Sequence, residues 1–374
     1  MHIGLIILIS FLVAAALALI AYGLYEIYKI FIPKESDPNP QSSSKSVLYV
    51  FGGWDKTNPT NAVLDTVEKY DTVSGKWTLV PEGMPTNRKD VAVAVLAVDQ
   101  KEYIYALGGY DGFDTVGDVV ERYDPSESNW TQDVQRMPSN RLAYAVGVLT
   151  DSDDQKQYLY AVGGYSVGSR TGVYHTTVDK YDPYLDVWTE EVASPIATGR
   201  NYLAIGVLAE SDGKQYMYAV GGWDGSAVLS NVEKFDPSSR TWTPVASMLT
   251  KRKNFSVGVL TESDGKQYMY AVGGIGGDGG SEILEKVERY DPASNTWTEV
   301  ASMSKARYDF GVVVLKDPSD GNQYLYALGG STYNSDQLGS VERYDPSADT
   351  WSDSSQEMEL LTSKSAFGIA VVHG

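Results

Sequence analysis

The sequence "YLYALGG" at residues 324–330 recurs along the chain with only small changes. Its near copies are YIYALGG at 103–109, YLYAVGG at 158–164, YMYAVGG at 216–222 and 268–274, and the shorter LYVFGG at 48–53. The first glycines of these six pairs are separated by 56, 55, 58, 52 and 56 residues. A nearly constant period of this length predicts a repeat architecture, either a propeller or a solenoid.

Each repeat contains two further motifs. A motif of the form VERYDP follows every glycine pair, and a tryptophan stands seven residues after its aromatic residue, at Trp77, Trp130, Trp188, Trp242, Trp297 and Trp351. A third motif, such as AVGVL, alternates β-branched with small residues and precedes the second to sixth pairs. Alternation with a period of two predicts a strand. Each repeat is therefore predicted to contain four short strands, of which the second ends at the glycine pair.

The two ends of the repeat region are complementary. The first repeat, residues 47–79, lacks the AVGVL-like strand, whereas residues 366–372 are a surplus strand of this type with no glycine pair after them. If the surplus strand completes the first repeat, a ring of six four-stranded blades closes and leaves no open array edge. The predicted fold is all-β: a six-bladed β-propeller over residues 46–374, closed by the C-terminal strand, behind one N-terminal transmembrane helix.

These motifs resemble the kelch repeat, which has a double glycine, then a tyrosine, then a tryptophan at such spacings. GGYDG at 108–112 and GGWDG at 221–225 add to the resemblance, which covers residues 46–374. It implies a six-bladed kelch β-propeller. In animal kelch propellers, arginines at matching positions contact peptide partners, so the resemblance implies such a role for some of Arg141, Arg200, Arg252 and Arg307.

Residues 1–45 differ in composition from the repeats. No charged residue stands between Ile3 and Leu24, and a helix of that length would extend about 33 Å, enough for a bilayer core of about 30 Å. We expect residues 1–32 to form a transmembrane anchor with an interfacial segment, in which residues 3–24 contact lipid. The Pro- and Ser-rich residues 33–45 are expected to be a linker. A cleaved signal peptide is the alternative.

The side of the membrane is left open by the sequence. Lysines that follow the apolar segment favour a cytoplasmic propeller. Asn-x-Ser/Thr sequons at Asn129 and Asn254 favour an extracytoplasmic or lumenal one.

The composition argues against several classes of function. The net charge is −19, and phosphate binding needs clustered positive charge, so no nucleic-acid partner is expected. The chain has no cysteine and 3 histidines, which disfavours thiolate and multi-histidine metal sites; no metal and no cofactor are expected. The glycine pairs are interpreted as structural because no helix, whose N-terminus could hold a phosphate, is predicted after them.

A basic residue stands eight positions before the end of each innermost-strand motif: Arg88, Arg141, Arg200, Arg252, Arg307 and Lys364. One interpretation is structural, with salt bridges between blades or hydrogen bonds to loop carbonyls. The repeated acids are the expected partners: Glu68, Glu121, Asp179, Glu233, Glu288 and Glu342. The other interpretation is a basic mouth that binds an acidic ligand.

Chain direction divides the loops between two faces. Loops after each glycine pair and before each innermost strand share one face, here called the top face; the remaining loops form the bottom face. Beside the arginines, the candidate binding residues of the top face are Trp54, Tyr110, Phe113, Tyr165, Tyr174, His175, Trp223 and Tyr333. The acidic bottom loops, such as DSDDQK at 151–156, are interpreted as solvated turns because they lack the ligand spacing of a calcium loop. The N-terminus should emerge at the bottom, which leaves the top face pointing away from the membrane.

Three functions are considered. The first is a membrane-anchored, non-catalytic module that binds proteins or serves as an accessory subunit of a membrane-associated assembly. The second is a sugar-acting enzyme of the sialic-acid mutarotase type, and the third is a carbohydrate-binding propeller. Kelch-type copper oxidases require a cysteine-linked tyrosine, which this chain cannot form. No isolated catalytic set stands out from the repeated residues, so the sequence favours the first function.

Overall fold

The computed structural model describes residues 46–58, 62–113, 116–166, 172–190, 194–277, 279–333, 336–354 and 358–373. These residues contain six four-stranded antiparallel sheets, numbered 1 to 6 along the chain, with their strands numbered outward from the innermost. Two smaller sheets of two and three very short strands accompany the third and fifth. The predicted anchor, its lipid contact and the linker (residues 1–45) lie outside the described residues. Within the part of the chain that is described, no helix is long and apolar enough to cross a membrane.

The strand bounds follow the predicted motifs closely. Sheet 1 comprises Gly368–His373, Ser46–Phe51, Val67–Asp71 and Lys76–Leu79, and sheet 2 comprises Ala92–Val98, Lys101–Leu107, Val120–Asp124 and Asn129–Thr131. Sheet 3 comprises Ala145–Thr150, Gln157–Val162, Val178–Asp182 and Val187–Thr189, and sheet 4 comprises Ala204–Ala209, Gln215–Trp223, Val228–Asp236 and Thr241–Val245. Sheet 5 comprises Ser256–Thr261, Gln267–Val272, Val287–Asp291 and Thr296–Val300, and sheet 6 comprises Gly311–Lys316, Gln323–Leu328, Val341–Asp345 and Thr350–Asp353.

The C-terminal strand completes the first sheet, as the end motifs predicted. Gly368–His373 pairs antiparallel with Ser46–Phe51, with Tyr49 opposite Ala370. The first strands of neighbouring sheets contact one another in a full cycle from sheet 1 to sheet 6 and back to sheet 1. This arrangement is consistent with a kelch-type propeller whose blades are the six sheets.

Small residues on the first strands allow neighbouring sheets to approach. A Cβ atom on Gly147 would lie 2.6 Å from the Sδ atom of Met217, in the second strand of the next sheet. One on Gly258 would lie 2.6 Å from Leu325 Cδ1 in the same way. Methionine, leucine and tyrosine side chains of the second strands fill the space that these glycines leave, and they form the apolar cores between sheets.

Four of the repeated tryptophans join neighbouring sheets through an indole hydrogen bond. Trp297 packs against Tyr290 of its own sheet with ring centroids 5.0 Å apart. Its indole N–H donates to the carbonyl of Ala246 in the preceding sheet at 2.9 Å. Trp351 repeats this hydrogen bond to Ala301 at 2.8 Å. Trp297 and Trp351 therefore contribute apolar contacts and a satisfied polar end, whereas the indole N–H groups of Trp130 and Trp242 have no hydrogen-bond partner among the described residues.

The glycine pairs are structural, as predicted. Gly221 has a φ of 54°, a left-handed conformation that suits glycine, and a Cβ atom there would lie 2.7 Å from the carbonyl oxygen of Arg252. The second glycine of a pair donates its N–H to the basic residue that begins the next sheet; Gly274 N–H to Arg307 O measures 2.9 Å. The pairs thus connect adjacent sheets through the backbone.

The two predicted faces are present. Residues that follow the glycine pairs bridge to residues that precede the first strands, as Trp54 does with Ser365 and Trp223 with Asn201. The chain enters the first sheet at Ser46, at the opposite end, where the Ser46 hydroxyl lies 3.1 Å from His373 Nδ1. The first described residue is therefore on the bottom face, as expected.

Candidate binding surface on the top face

The predicted basic ring is a set of buried ion pairs. The five arginines and Lys364 are 0% exposed. Arg88 Nη2 lies 2.7 Å from Glu121, Arg252 Nη2 lies 2.6 Å from Glu288, Arg307 Nη2 lies 2.7 Å from Glu342, and Lys364 Nζ lies 2.8 Å from Glu68. Arg141 pairs with Asp179 and Arg200 pairs with Glu233. The repeated acids are the partners that the sequence suggested.

Each arginine also completes the hydrogen bonding of its surroundings. Arg252 Nη1 donates to the carbonyls of Gly273 at 2.9 Å and Lys286 at 3.1 Å. Glu288 accepts the backbone N–H groups of Leu249 at 2.6 Å and Thr250 at 2.9 Å. The pair therefore fixes a top loop, the end of a second strand and the start of a third strand with one network.

Burial affects the acidity of these groups without neutralising the guanidinium. Desolvation lowers the pKa of Arg88, Arg200, Arg252 and Arg307, which the paired carboxylates partly offset. Burial lowers the pKa of Arg141 to about 10. An arginine with a pKa well above neutrality stays charged at pH 7.

The structure corrects two expectations about this ring. The arginines do not form a basic mouth for an acidic ligand, because a side chain with 0% exposure offers nothing to the surface. The ion pairs also do not cross between blades: Arg252 and Glu288 both belong to sheet 5. The link to the preceding sheet comes from the arginine's backbone carbonyl instead.

The predicted aromatic residues are on the top face but differ in exposure. Phe113 is 90% exposed and Tyr333 is 58% exposed. The remaining candidates are half-buried: Trp54, Tyr110, Tyr165, Tyr174, His175 and Trp223. In sheets 1 to 4 the residue directly after the glycine pair is aromatic, whereas sheets 5 and 6 have Ile275 and Ser331. An aromatic residue therefore follows the glycine pair in four consecutive sheets of the six.

Four described residues of the sheet 3 top loops form a cluster. The rings of Tyr165 and Tyr174 have centroids 4.9 Å apart, and the Ser166 hydroxyl lies 2.6 Å from His175 Nε2. Burial, and then the charge of Arg141, lower the pKa of His175. The imidazole is therefore neutral at pH 7 and acts as a hydrogen-bonding group.

Two lysines that sequence reasoning missed lie on these aromatic rings. Lys89 Nζ is 5.4 Å from the centroid of Trp54 and 5.6 Å from that of Tyr110. Lys253 Nζ is 4.5 Å from the centroid of Trp223. Such cation–π contacts hold an ammonium group without neutralising it. Both lysines directly follow a buried arginine, and that position was the available signal.

A second group missed from the sequence surrounds the start of the innermost strands. Two positions after each buried basic residue stands a non-glycine residue with a φ between 50° and 54°. These residues, named the mouth ring, are Asp90, Ala143, Tyr202, Asn254, Asp309 and Ala366. Five backbone hydrogen bonds of 2.7–3.3 Å link neighbouring members around the axis. Each N–H donates to the carbonyl of the next residue in the order Asp90, Ala366, Asp309, Asn254, Tyr202 and Ala143. Backbone hydrogen bonds thus link the sheets at the mouth ring, although the side chains at these positions differ between sheets.

The polar members of the mouth ring interact with one another. Asn254 Nδ2 donates to Asp309 Oδ1 at 2.6 Å. Burial and the neighbouring charge of Asp90 raise the pKa of Asp309 to about 7, although the Asn254 hydrogen bond opposes the rise. Burial also raises the pKa of Asp90. Burial and then the charges of Asp90 and Asp309 raise the pKa of Tyr202 to about 12.

The top face contains the elements of a binding surface. It combines exposed apolar side chains, half-buried aromatic rings, two lysine ammonium groups that lie over those rings and a polar centre on a rigid scaffold. Variable loops on such a scaffold are where recognition is usually located. Among the residues described, no three His, Asp or Glu side chains are grouped so that they could hold a metal ion.

Comparisons with known proteins agree with this architecture. A family model described as the KLHDC2/KLHL20/DRC7 Kelch-repeats domain matches residues 43–274, and a Kelch motif model matches residues 265–304 and 321–355. Kelch-like protein 23 of Homo sapiens is 26% identical over 291 residues, which are 66% of this chain and 47% of that protein. Kelch-like protein 36 of Bos taurus is 27% identical over 308 residues (79% and 44%), and Kelch-like protein terF of Aspergillus terreus is 27% identical over 286 residues (72% and 56%).

The chain spans about half the length of these relatives. The first family model alone matches more than half of the 374 residues. Beyond residue 274 the same pattern of glycine pairs, strands and buried ion pairs continues. This chain belongs to the Kelch-repeat family.

Proposed function

We propose that this protein is a non-catalytic interaction module whose top face binds a protein partner. The observation that carries the proposal is the pair of large apolar side chains, Phe113 and Tyr333, that project from top loops with 90% and 58% of their surface exposed. Exposed aromatic side chains of this kind are typical anchors of protein interfaces. The Kelch-like relatives support the same role.

We further propose that residues 3–24 anchor the protein in a membrane and that it serves there as a partner-binding or accessory subunit. The uncharged length of this segment supports an anchor. Entry of the chain at Ser46 on the bottom face supports a top face turned away from the bilayer. Resistance of the full-length chain to alkaline carbonate extraction tests the anchor; release into the soluble fraction would count against it.

The sequons supply a test of the side on which the propeller lies. The Nδ2 atom of Asn254 donates to Asp309 at 2.6 Å, whereas Asn129, the first residue of the fourth strand of sheet 2, is exposed. We therefore propose an extracytoplasmic or lumenal propeller that carries a glycan on Asn129 and none on Asn254. An Asn129→Gln variant that migrates like the wild type before and after glycosidase treatment would contradict this location.

Capture of partners from detergent-solubilised membranes tests the interaction itself. The full-length chain is compared with Phe113→Ser/Tyr333→Ser on the top face and with Val73→Ser/Leu185→Ser on the bottom. The control replaces apolar side chains of similar exposure, 58% and 71%. Loss of the same bound proteins from the top variant alone supports the proposal. Equal capture by all three proteins would refute it, and loss of capture in the presence of free glycans would favour the carbohydrate-binding alternative.

A further inference from the structure

A polar cavity lies on the top face between sheets 4 and 5. Its volume is about 370 Å³, which is within the range of cavities that hold ligands. Ser230 lines it from the third strand of sheet 4. The other described residues that line it come from the connection into sheet 5 and from the top loop of that sheet: Leu249, Thr250, Lys251, Gly277, Glu282 and Lys286. This cavity is therefore distinct from the aromatic cluster of sheet 3.

The two lysines of the cavity stand where the other five sheets have no charged residue. Lys251 directly precedes the buried arginine of its sheet, and its counterparts are Asn87, Asn140, Gly199, Ala306 and Ser363. Lys286 directly precedes the VERYDP motif, and its counterparts are Thr66, Val119, Thr177, Asn231 and Ser340. The repeated fold therefore does not require a lysine at either position, and the two charges are particular to this cavity.

The backbone around both lysines is fixed by hydrogen bonds to which their side chains do not contribute. The carbonyl of Lys286 accepts the N–H of Gly273 and the Nη1 group of Arg252, each at 3.1 Å. Lys251 precedes the strand Arg252–Lys253, which pairs with Ile275–Gly276 in the small sheet beside sheet 5. The two ammonium groups are thus attached to a rigid frame, and a substitution of either side chain leaves that frame intact.

The donor groups of the cavity have no partner within the described part of the chain. The ammonium groups of Lys251 and Lys286 form no ion pair, no hydrogen bond and no contact with an aromatic ring there. The hydroxyl groups of Ser230 and Thr250 form no side-chain hydrogen bond in the same described ranges. All four residues are half-buried. Four residues with donor groups, two of them charged, therefore border the cavity without an acceptor of their own.

Glu282 is the one acidic residue among the described residues that line the cavity. It is exposed, lies in the edge strand Glu282–Ile283 of the small sheet and places its carboxylate against Gly277. It forms no ion pair with Lys251 or Lys286. Its charge opposes the binding of an anion, so its removal should strengthen such binding and supplies a test of opposite sign.

We propose that this cavity binds the phosphoryl group of a phosphorylated side chain on the protein partner. The proposal rests on the proposed function and specifies the chemistry of the partner. A phosphorylated side chain carries a charge of about −1.5 to −2 at pH 7 and three acceptor oxygens. The ammonium groups of Lys251 and Lys286 match that charge, and the hydroxyl groups of Ser230 and Thr250 supply further donors. A carboxylate has about half the charge and one oxygen fewer, so it uses this set of donors less fully.

The apolar border of the cavity favours a phosphorylated protein segment over a free anion. Leu249 lines the cavity and is 63% exposed. An inorganic anion leaves this side chain in water, whereas a residue next to the phosphorylated one covers it and gains apolar burial. The exposed Tyr333 of the proposed binding surface belongs to the adjacent sheet 6. The net charge of −19 also disfavours nucleic acid and anionic lipid as the source of the phosphoryl group.

An array of short peptides with random flanking residues and a fixed central position tests the proposal. The central residue is phosphoserine, phosphothreonine, serine or glutamate, and the probe is the full-length chain in a non-ionic detergent. Wild type is compared with Lys251→Gln/Lys286→Gln. Lys214→Gln/Lys305→Gln is the matched control, because it removes two exposed lysines, one from a bottom turn and one from the top loop that precedes sheet 6. Thermal unfolding of each variant verifies that it folds.

We expect the wild type to bind the phosphorylated peptides more tightly than the serine and glutamate peptides. Lys251→Gln/Lys286→Gln should reduce that preference by about tenfold or more, the effect of losing charge-assisted hydrogen bonds, and the control should leave it unchanged. Glu282→Gln should raise the affinity for the phosphorylated peptides, because it removes a like charge from the lining. Since Glu282 is exposed, this second variant should fold as the wild type does.

Three outcomes would overturn the proposal. An equal preference in wild type and Lys251→Gln/Lys286→Gln would place the binding elsewhere on the protein. Glutamate peptides that bind as tightly as phosphoserine peptides would show that the cavity does not select a phosphoryl group. Displacement of the peptides by inorganic phosphate as effectively as by unlabelled phosphopeptide would make the cavity a site for the free ion. If Phe113→Ser/Tyr333→Ser still loses its captured proteins in any of these cases, the proposed function stands and only the assignment of the cavity fails.

Discussion

Replacing Glu288 by glutamine should destabilise the protein markedly, although the side chain keeps its shape. Glu288 is 1% exposed and accepts hydrogen bonds from Arg252 at 2.6 Å, Leu249 N at 2.6 Å and Thr250 N at 2.9 Å. Glutamine carries no charge, and its NH₂ group cannot accept a hydrogen bond. The variant therefore leaves the buried guanidinium of Arg252 uncompensated and at least one N–H group without a partner.

Removing one member of a buried pair costs about 3–5 kcal/mol. The entropy of unfolding is about 2.1 cal/mol/K per residue, or about 0.7 kcal/mol/K for the roughly 330 residues of the repeat region. Dividing the first quantity by the second gives an expected fall in Tm of about 4–7 °C. Differential scanning calorimetry measures this shift, and because the pair is buried the shift should persist at high salt.

Glu299→Gln is the matched control for this prediction. Glu299 stands opposite Glu288 on the neighbouring strand of the same sheet, but its side chain is exposed. Loss of an exposed charge should change stability by less than about 0.5 kcal/mol. If Glu288→Gln and Glu299→Gln lower the Tm equally, or if Glu288→Gln has no effect, the buried pair does not stabilise the sheets as described here.

Three further predictions follow from the same geometry. Gly221→Ala should cost about 1–3 kcal/mol more than Gly213→Ala in denaturant unfolding. Both glycines have positive φ, so that penalty is shared, but only Gly221 would place a Cβ atom against a carbonyl. Deletion of residues 368–373 removes the first strand of sheet 1. The truncated chain should lose its cooperative thermal transition and elute as aggregates in size-exclusion chromatography. A monomer with the wild-type Tm would contradict closure of the ring by this strand. The pKa of Asp309 is about 7 in the folded protein and about 3.9 in the unfolded chain, so the native state binds the proton more tightly. The wild type therefore loses stability as pH rises from about 4 to 7, and Asp309→Asn should gain about 1–3 kcal/mol relative to it over this range. Parallel Tm curves of the two proteins across this pH range would show that Asp309 is not perturbed.

The sequence predicted the sheets well because their determinants recur. Alternation in motifs such as AVGVL predicts a strand, and the glycine pairs mark positions that a side chain cannot occupy. At Gly221 the two reasons are visible together: a left-handed φ and a carbonyl 2.7 Å from any Cβ. The surplus strand at the C-terminus needed only counting. Because the strand alternation and the glycine pairs recur six times, each strand assignment is supported by five equivalent ones.

The basic ring shows where such reasoning fails. The sequence supplied both members of each pair, Arg252 with Glu288 among them, but it left open whether the arginine turns outward to a ligand or inward. That choice depends on whether carbonyls and carboxylates surround the guanidinium in three dimensions. The hydrogen bonds from Arg252 to Gly273 and Lys286 come from segments distant in sequence, and spacing alone does not reveal them.

The mouth ring was missed for a different reason. Its members share one backbone conformation but not one residue type, so the motif comparison treated the position as variable. Left-handed backbone is enriched in Asn and Asp, and Asp90, Asn254 and Asp309 carry that signal. Ala143 and Tyr202, both with φ near 50°, conceal it. A feature that the backbone imposes and the side chains do not share is invisible to comparison of residues.

Charge bookkeeping connects the buried basic ring with the top face. The six buried basic residues are matched by six buried acids, so they contribute no net charge. Removing them from 30 basic and 49 acidic residues leaves 24 and 43, and the whole charge of −19 remains on the other groups. The buried ion pairs thus use a fifth of the basic residues. An approaching partner therefore meets a surface on which carboxylates are in excess. Lys89 and Lys253, rather than the buried arginines, therefore present positive charge to a partner at the top face.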